Sequence, residues 1–323
     1  MTSLRMLFRL ALLAVGFALA GAACAQGFPS KPIRLIITFP PGGTNDHLGR
    51  VISQKLQEKW GQPVILENKP GAGGNIGSDF VAKSAPDGYT LLLGTNTLTM
   101  NRFLTTKMPF DVQKDLAPIA MIGSTPFAVV VNNNLPVKSI AELIAYAKAN
   151  PDRLSYGSAG VGTPHHLGTE LFKTLTATRM VHVPYKGSAA ALTDVMSGQI
   201  QLMWITINVG NPFISAGKVR AIGVGELRRL ASNKDIPAIA ETVPGYEVSA
   251  WYAVLAPAGT PAEIVAQLST EIQRAFQAPE VRERLIPQGI ELAPAGAESL
   301  RATIAADIDM WGKVVAQAGI KPE

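Results

Sequence analysis

A single cysteine, Cys24, is all that 323 residues contain. It has no second thiol in the chain to pair with, so stability must come from a buried core, which this length permits. Charged residues are few as well, 16% against 47% hydrophobic, and Lys and Arg are scattered. Without a basic block or a basic helix there is no footing for nucleic acid. There is no Walker A sequence, and none of the 4 histidines sits in an H-x-x-x-H arrangement. No motif therefore asks for a nucleotide, a metal or another cofactor. Long low-complexity segments and solenoid-type repeats are absent too.

The start of the chain is a separate matter. Arg5 and Arg9 precede an apolar run, Leu10 to Ala20, followed by Gly21-Ala22-Ala23-Cys24-Ala25. A basic n-region, a short h-region and Ala23-Cys24-Ala25 as an A-x-A site spell a secretory signal peptide, residues 1–25, cut after Ala25. The run falls short of the ~20 apolar residues that span a bilayer. Cleavage before Cys24, with a lipid attached there, is a second reading, weakened by Gly21 where such sites prefer a bulky aliphatic residue. Losing residues 1–25 removes Arg5 and Arg9 and no acid, so net charge falls from +5 to +3 over 298 residues. The high pI thus implies little about partners. The mature chain is expected in the periplasm, with no later segment able to cross a membrane.

Apolar runs then alternate with helical spacing. Ile33 to Thr38 reads as a strand, and Leu48, Val51, Ile52 and Leu56 share one helical face, stopped by Gly61. Val64 to Leu66 and Thr90 to Leu93 read as strands around a helix from about Ile76 to Ala85. After Pro126 the pattern restarts with Ala128 to Val131, and Ser139-Ile140-Ala141-Glu142 is a capping box. Strands at Leu154 to Tyr156 and Met180 to Val183 flank a helix from about Pro164 to Leu175. A further helix, Ser188 to Ser197, stops at Gly198. Leu202 to Ile205, Ala221 to Val224 and Val248 to Ala256 complete the strands, and two helical stretches follow, the last from about Ala297 to Ala318. This alternation predicts an α/β fold with mostly parallel sheets.

Catalytic groups are hard to find. Tyr156-Gly157-Ser158-Ala159-Gly160 imitates the nucleophile elbow G-x-S-x-G, but Tyr156 stands where the first glycine belongs and no Asp and His partners can be named. Gly71-Ala72-Gly73-Gly74-Asn75-Ile76-Gly77 has the spacing G-x-G-x-x-x-G, so it reads as a structural turn rather than a dinucleotide loop. His165 and His166 are neighbours, which a helix splays by about 100°, a poor arrangement for one metal. Asp307 and Asp309 read as a solvated helix face.

What remains are small-residue junctions at the carboxyl ends of predicted strands. These are Gly42-Gly43-Thr44-Asn45-Asp46, Gly94-Thr95-Asn96-Thr97, Ser158 to Thr163, and Tyr185-Lys186-Gly187-Ser188. Glycines admit close approach of a ligand, and a helix N-terminus offers unpaired N–H groups and a positive dipole end. Ligands of open α/β sheets bind beyond the carboxyl ends of the strands. Two junctions precede Pro126 and two follow it, which suggests a ligand gripped between two domains.

Five stretches, FPSKPIRLIITFPPGGTND, VILENKPGAGGNIGSDFVAKSAPDGYTLLLG, LSYGSAGVGTPHHLGTELF, VPYKGSAAALTDVMSGQI and WYAVLAPAGTP, resemble the substrate-binding proteins of tripartite tricarboxylate transporters, the Bug-type periplasmic receptors. The resemblance runs along nearly the whole mature chain. It implies a type II periplasmic-binding-protein fold with two α/β domains and a ligand cleft between them. Residues 27–125 plus 250–323 would form domain 1 and residues 126–249 domain 2, hinged near Thr125 and Ser249. It also implies a small organic carboxylate as ligand, the membrane permease subunits of such a transporter as partners, and a monomer without cofactor. The site would draw on Pro41, Gly42, Gly43, Thr44 and Asp46, then Asn96 and Thr97. From the second domain it would take Ser158, Ala159, Gly160, Gly162, Thr163 and His166, then Tyr185, Lys186 and Gly187. Asp46 matches the aspartate of the family's GGxxD, and His166 the histidine of its G-T-x-x-H-L. After Leu202-Met203-Trp204 the family often has Asp-Asn. Ile205 and Thr206 stand there instead, implying a pocket less polar on one side. Two other readings stay open at this point: a secreted hydrolase of an ester or amide, and a ligand sensor signalling to a membrane kinase.

Overall fold

The computed structural model describes residues 27–230, 232–318, 320 and 322. The expected signal peptide, residues 1–25, and Cys24 lie outside the described residues. β1 (Ile33–Ile37), α1 (Thr44–Trp60), β2 (Val64–Asn68), α2 (Asn75–Ala82), β3 (Thr90–Thr95) and the short α3 (Thr97–Met100) come first. Then follow β4 (Leu116–Val131), α4 (Ile140–Ala149), β5 (Ser155–Ser158), α5 (Pro164–Thr176), β6 (Val181–Pro184), α6 (Ser188–Ser197), β7 (Leu202–Thr206), α7 (Ile207–Ser215) and β8 (Arg220–Val224). β9 (Ser249–Pro257), α8 (Ala262–Gln277), α9 (Pro279–Leu285), β10 (Glu291–Gly296) and α10 (Ala297–Ala318) complete it. Gly61 and Gly198 end α1 and α6 in the left-handed conformation, φ 67° and 84°, where other residues are strained.

The strands join in the order β2-β1-β3-β9-β4-β7-β5-β6, with β8 and β10 also on β4. The flanks, β2-β1-β3 and β7-β5-β6, are parallel. The centre is not: β9 lies antiparallel to both β3 and β4, and β4 antiparallel to β7, β8 and β10. The expectation of mostly parallel sheets therefore describes the flanks only, because β9 enters from a distant part of the chain rather than through a right-handed crossover.

β4 is longer than its sequence suggested. Only Ala128 to Val131 read as strand, since Pro118, Gly123 and Pro126 look like breakers. The structure absorbs Pro118 and Gly123 at register shifts against β9, between Pro118 and Ala120 and between Met121 and Gly123. Leu116 to Pro126 pairs with β9, and Phe127 to Val131 pairs with β7. The core follows the same strands. Ile33, Leu35, Ile37, Leu91, Leu93, Val129, Val131, Trp204 and Val254 belong to one buried cluster, each fully buried side chain contributing roughly 1.5–3 kcal/mol.

Asp307 corrects another expectation. Its carboxylate is turned inward from α10, where it accepts hydrogen bonds from the Thr99 hydroxyl, from Trp251 Nε1 at 3.1 Å and from Trp311 Nε1 at 3.1 Å. Burial pushes its pKa up, and these donors offset part of the rise. It ties α10 to α3 and β9.

Gly123 offers a test of this architecture. Its φ is 152°, and a Cβ there would lie 2.1 Å from the Glu291 carbonyl oxygen in β10. Gly123→Ala is expected to lower unfolding free energy by about 1–3 kcal/mol from backbone strain alone, read by urea denaturation. An unchanged midpoint and slope would contradict the close β4–β10 pairing.

Candidate functional site

A cavity of about 300 Å³ lies beyond the carboxyl ends of β1, β3, β5, β6 and β7, where Pro41, Thr95, Ala159, Lys186 and Thr206 line it. Three helices begin at its wall: α1 with Gly43-Thr44-Asn45, α5 with Pro164-His165, and α6 with Ser188-Ala189-Ala190. Thr206, the residue that precedes α7, is a fourth such start. In α1 the amides of Asp46 and His47 both reach the Gly43 carbonyl, at 3.1 and 3.2 Å, so those of Thr44 and Asn45 precede the first intrahelical bond. In α5 the amides of His166 and Leu167 reach the Thr163 carbonyl at 2.9 and 3.0 Å. Pro164 has no N–H, so the His165 amide is the one left over.

The rest of the wall is largely apolar, formed by Phe39, Pro40, Phe127, Ala250 and the ring of Tyr252. Among the described residues Lys186 is the one charged side chain lining it, and no carboxylate does. The Thr44 hydroxyl lies 3.2 Å from that of Thr206 and donates to Asn208 Oδ1 at 2.9 Å. Burial pushes the Tyr252 phenol up to about 12, with the Thr44 and Thr125 hydroxyls pulling the other way, so it remains a neutral donor. A larger cavity of about 650 Å³ adjoins the first, sharing Phe39, Pro40, Ala159 and Lys186.

Of the residues singled out from sequence, Pro41, Gly43, Thr44, Ala159, Lys186, Gly187 and Thr206 line the first cavity, and Gly160, Gly162 and Tyr185 the second. The others lie off both, each engaged elsewhere. Asp46 turns back into its own loop, accepting from the Gly42 amide at 3.3 Å and from Arg50 Nε at 3.1 Å. Asn96 Nδ2 donates to the Ser249 carbonyl at 2.9 Å, and the Thr97 hydroxyl meets that of Thr95 at 3.1 Å. Thr163 donates to the Gly160 carbonyl at 2.7 Å. Ile205 is fully buried in a second apolar cluster with Ala128, Met203 and Val224. Adjacent strand residues face opposite sides, so Thr206 meets the cavity and Ile205 cannot, and the argument that Ile205 makes the pocket apolar falls.

The histidines divide differently from expectation. His166 stacks on His182 with ring centroids 4.1 Å apart, and His182 on Tyr156 at 4.9 Å. His182 Nε2 lies 2.7 Å from the Ser158 hydroxyl, a partner that sequence spacing did not reveal. Ser158 is fully buried and His182 half-buried, and neither lines either cavity. His165, not His166, reaches the first cavity, packed edge-on against Phe127 at 4.9 Å. The helical splay noted in the sequence is what separates the two. Tyr252, Phe127 and His165 were missed because they stand outside the glycine-rich junctions.

Burial holds three histidines neutral, lowering His165 and His182 to about 3 and His166 to about 4. A depressed histidine leaves the unfolded chain binding a proton that the folded chain does not, so stability is lost as pH falls below about 6.5. Glu226 acts oppositely. Burial, then Glu291 and Glu247, raise it to about 7, so between that value and about 4.5 the folded chain holds the extra proton. Three protons against one leaves a net loss of roughly 2–3 kcal/mol per pH unit between pH 6 and 5. Urea unfolding at pH 7, 6 and 5 reads this, and flat stability would contradict the buried neutral histidines.

A family model described as "Tripartite tricarboxylate transporter family receptor" matches residues 48–320. Protein BugT of Bordetella pertussis is 36% identical over 318 residues, covering 97% of this chain and 98% of BugT. Among solved structures, R. palustris Rpa4515 with adipate gives a TM-score of 0.89 at 37% identity, over 92% of this chain and 100% of that one. MatC from Rhodopseudomonas palustris with bound malate gives 0.84 at 30% identity, over 89% and 100%. The architecture is the two-domain α/β fold of periplasmic binding proteins. The chain belongs to the tripartite tricarboxylate transporter receptor family, whose members are solute-binding receptors.

Proposed function

We propose that this protein is a periplasmic receptor that captures a small organic carboxylate in its cleft and presents the closed form, as a monomer, to the permease subunits of a tripartite tricarboxylate-type transporter. The observation that carries this is the convergence of helix starts, α1, α5, α6 and the Thr206 start of α7, on one cavity with Lys186 and, among the described residues, no lining carboxylate. Each helix terminus favours an anion by about 0.3–1 kcal/mol, up to ~2 when partly buried. The amides of Thr44, Asn45 and His165 supply donors at fixed positions. The cavity volume, about 300 Å³, is at the small end of ligand sites. The adipate and malate held by two relatives are acids of that size class. Phe39, Pro40 and Phe127, rather than Ile205, give the ligand body its apolar wall.

Closure is proposed to move residues 27–125 plus 250–323 against residues 126–249, about the crossings at Thr125 and Ser249. Supporting this, Pro126 faces Ser249 in the β4–β9 register and β4 changes partners just beyond it. The Ser158–His182 contact favours the hydrolase reading more than the sequence did. Against it, Ser158 is fully buried and His182 is sandwiched between Tyr156 and His166. Tyr156 and Lys173 both hold Glu170 at Oε1, and among the described residues no carboxylate hydrogen-bonds His182, so the contact lacks the orienting acid of a triad.

A thermal-shift screen over monocarboxylates, dicarboxylates, aromatic acids, amino acids and neutral sugars tests the reading. Acids are expected to raise the melting temperature and to be recovered unchanged. Stabilisation by sugars alone, or turnover of the acid, would refute it. Gly43 supplies the matched variant. Its φ is −91° and a Cβ there meets nothing within 4 Å, so Gly43→Phe should abolish binding while shifting stability by only about 1 kcal/mol. Gly162 is no substitute for it, because φ is 77° and a Cβ would lie 1.9 Å from Asn101 Oδ1. A Gly43→Phe protein that binds normally would remove that loop from the site.

The precursor is proposed to be cut after Ala25, and the intact mass of secreted protein should begin at Gln26. An acylated Cys24 at the new N-terminus would replace a free periplasmic receptor by a membrane-anchored one. Among the described residues no helix is long and apolar enough to cross a membrane.

A further inference from the structure

We propose that the larger cavity is a second subsite of the cleft, which takes the uncharged apolar tail of an acid whose carboxylate sits in the first. The ligand class is then medium-chain or aryl-substituted monocarboxylates. This rests on the carboxylate reading of the first cavity. That cavity, about 300 Å³, is at the small end of ligand sites, and the second, about 650 Å³, is more than twice as large. The two share Phe39, Pro40, Ala159 and Lys186, so they meet at one neck. Small residues flank that neck. Ala159 brings only a methyl group, and Gly187 brings none, where a Cβ would come within 3.4 Å of the Pro40 ring. An acid held at the helix starts can therefore send its tail past Phe39 and Pro40 into the second cavity.

The walls of the second cavity define the chemistry of that tail. Phe39, Pro40, Pro70, Ile76, Leu104 and Val161 supply apolar surface, and Ile76 is 55% exposed. The polar side chains there are largely paired already. Asn101 Nδ2 donates to Asn75 Oδ1 at 2.8 Å and to the Gly73 carbonyl at 3.1 Å. Asn75 Nδ2 donates to the Thr105 hydroxyl at 3.3 Å, and the Tyr185 hydroxyl donates to Asp194 at 2.6 Å. Lys186, exposed at the neck, is among the described residues the one charged side chain that lines either cavity. A second carboxylate carried beyond it would leave water for a wall without a partnering cation, and the single helix start of α2 there is a weak offset. An apolar tail meets no such cost. Each methylene fully withdrawn from water tightens binding by about fourfold, and one that stays partly wet by less.

Calorimetric titration of the mature protein with butanoate, hexanoate, octanoate, decanoate, 6-phenylhexanoate and decanedioate tests this. Decanoate and 6-phenylhexanoate are expected to bind at least about tenfold more tightly than hexanoate. Decanedioate should forfeit that gain, since its far carboxylate must enter the apolar chamber. Val161 and Ile76 line the second cavity and not the first. Val161→Phe, which fills the chamber, should cut the gain to about twofold, and Ile76→Ser should lower it by about threefold, with hexanoate affinity kept in both. A second readout does not depend on how the variants fold. In methyl-labelled wild type, the Ile76 resonance should shift on adding decanoate and stay in place on adding butanoate. Affinity that is flat or falls from hexanoate to decanoate, a gain untouched by both variants, decanedioate binding as tightly as decanoate, or an Ile76 resonance that does not move would each overturn the proposal and leave the carboxylate receptor standing. If no acid binds, both readings fall.

Discussion

At Pro126 the long strand β4 leaves β9 and takes up β7 and β8. Proline has no N–H to give to a ladder, so a strand that must change neighbours can do so there at little cost. Its register partner, Ser249, is the first residue of β9, so the point where β4 changes partners lies beside the start of β9. Residues from β1 and β3 on one flank, and from β5, β6 and β7 on the other, therefore run their carboxyl ends toward one shared space. The cavity is a consequence of this exchange of strand partners. The start of β9 is reinforced from the side by Asn96, which donates to the Ser249 carbonyl, and by Asp307, which accepts from Thr99 and Trp251.

A site built from helix starts behaves differently from one built on an arginine clamp. An arginine–carboxylate pair is bidentate and strong, but it fixes one anion geometry. Several helix termini spread a modest attraction over one volume, and the backbone amides that carry it cannot be lost by protonation. The tyrosine phenol and the imidazole that line the cavity are both held neutral by burial, so near neutral pH binding should not track their titration. Lys186 is exposed and sits where the two cavities meet. Its attraction is screened by water and salt, which suits a guide for approach better than an anchor.

Much of this was legible in the sequence. The flank strands, the stops at Gly61 and Gly198 and the helix from Ser188 to Ser197 appear where periodicity and glycine placed them, because each is set by local rules. The misreadings have a common cause. Pro118 and Gly123 look like strand breakers until β9 and β10 are present to accommodate a bulge. Asp307 looks solvated until Trp251 and Thr99, far away in sequence, close over it. His166 matches a family motif, whereas His165, one residue earlier, is the one that lines the cavity. Local pattern gives the faces of an element, and only the packed partner decides which face matters.

The glycines make the same distinction inside one site. Gly43 has ordinary backbone angles and open space where a side chain would be, so its lack of a Cβ serves whatever enters the cavity. Gly162 and Gly73 are different. A Cβ at Gly162 would strike Asn101 Oδ1 at 1.9 Å, and one at Gly73 would strike the Val161 carbonyl oxygen at 2.6 Å. The two loops thus press backbone against backbone beside the cleft. Asn101 holds the loop from below, donating to the Gly73 carbonyl at 3.1 Å and to Asn75 Oδ1 at 2.8 Å. The turn Gly71-Ala72-Gly73-Gly74, which resembles a nucleotide loop in sequence, is glycine-rich because the Ser158–Thr163 loop comes to rest against it. One glycine leaves open space at the cavity wall, and the others let two loops meet.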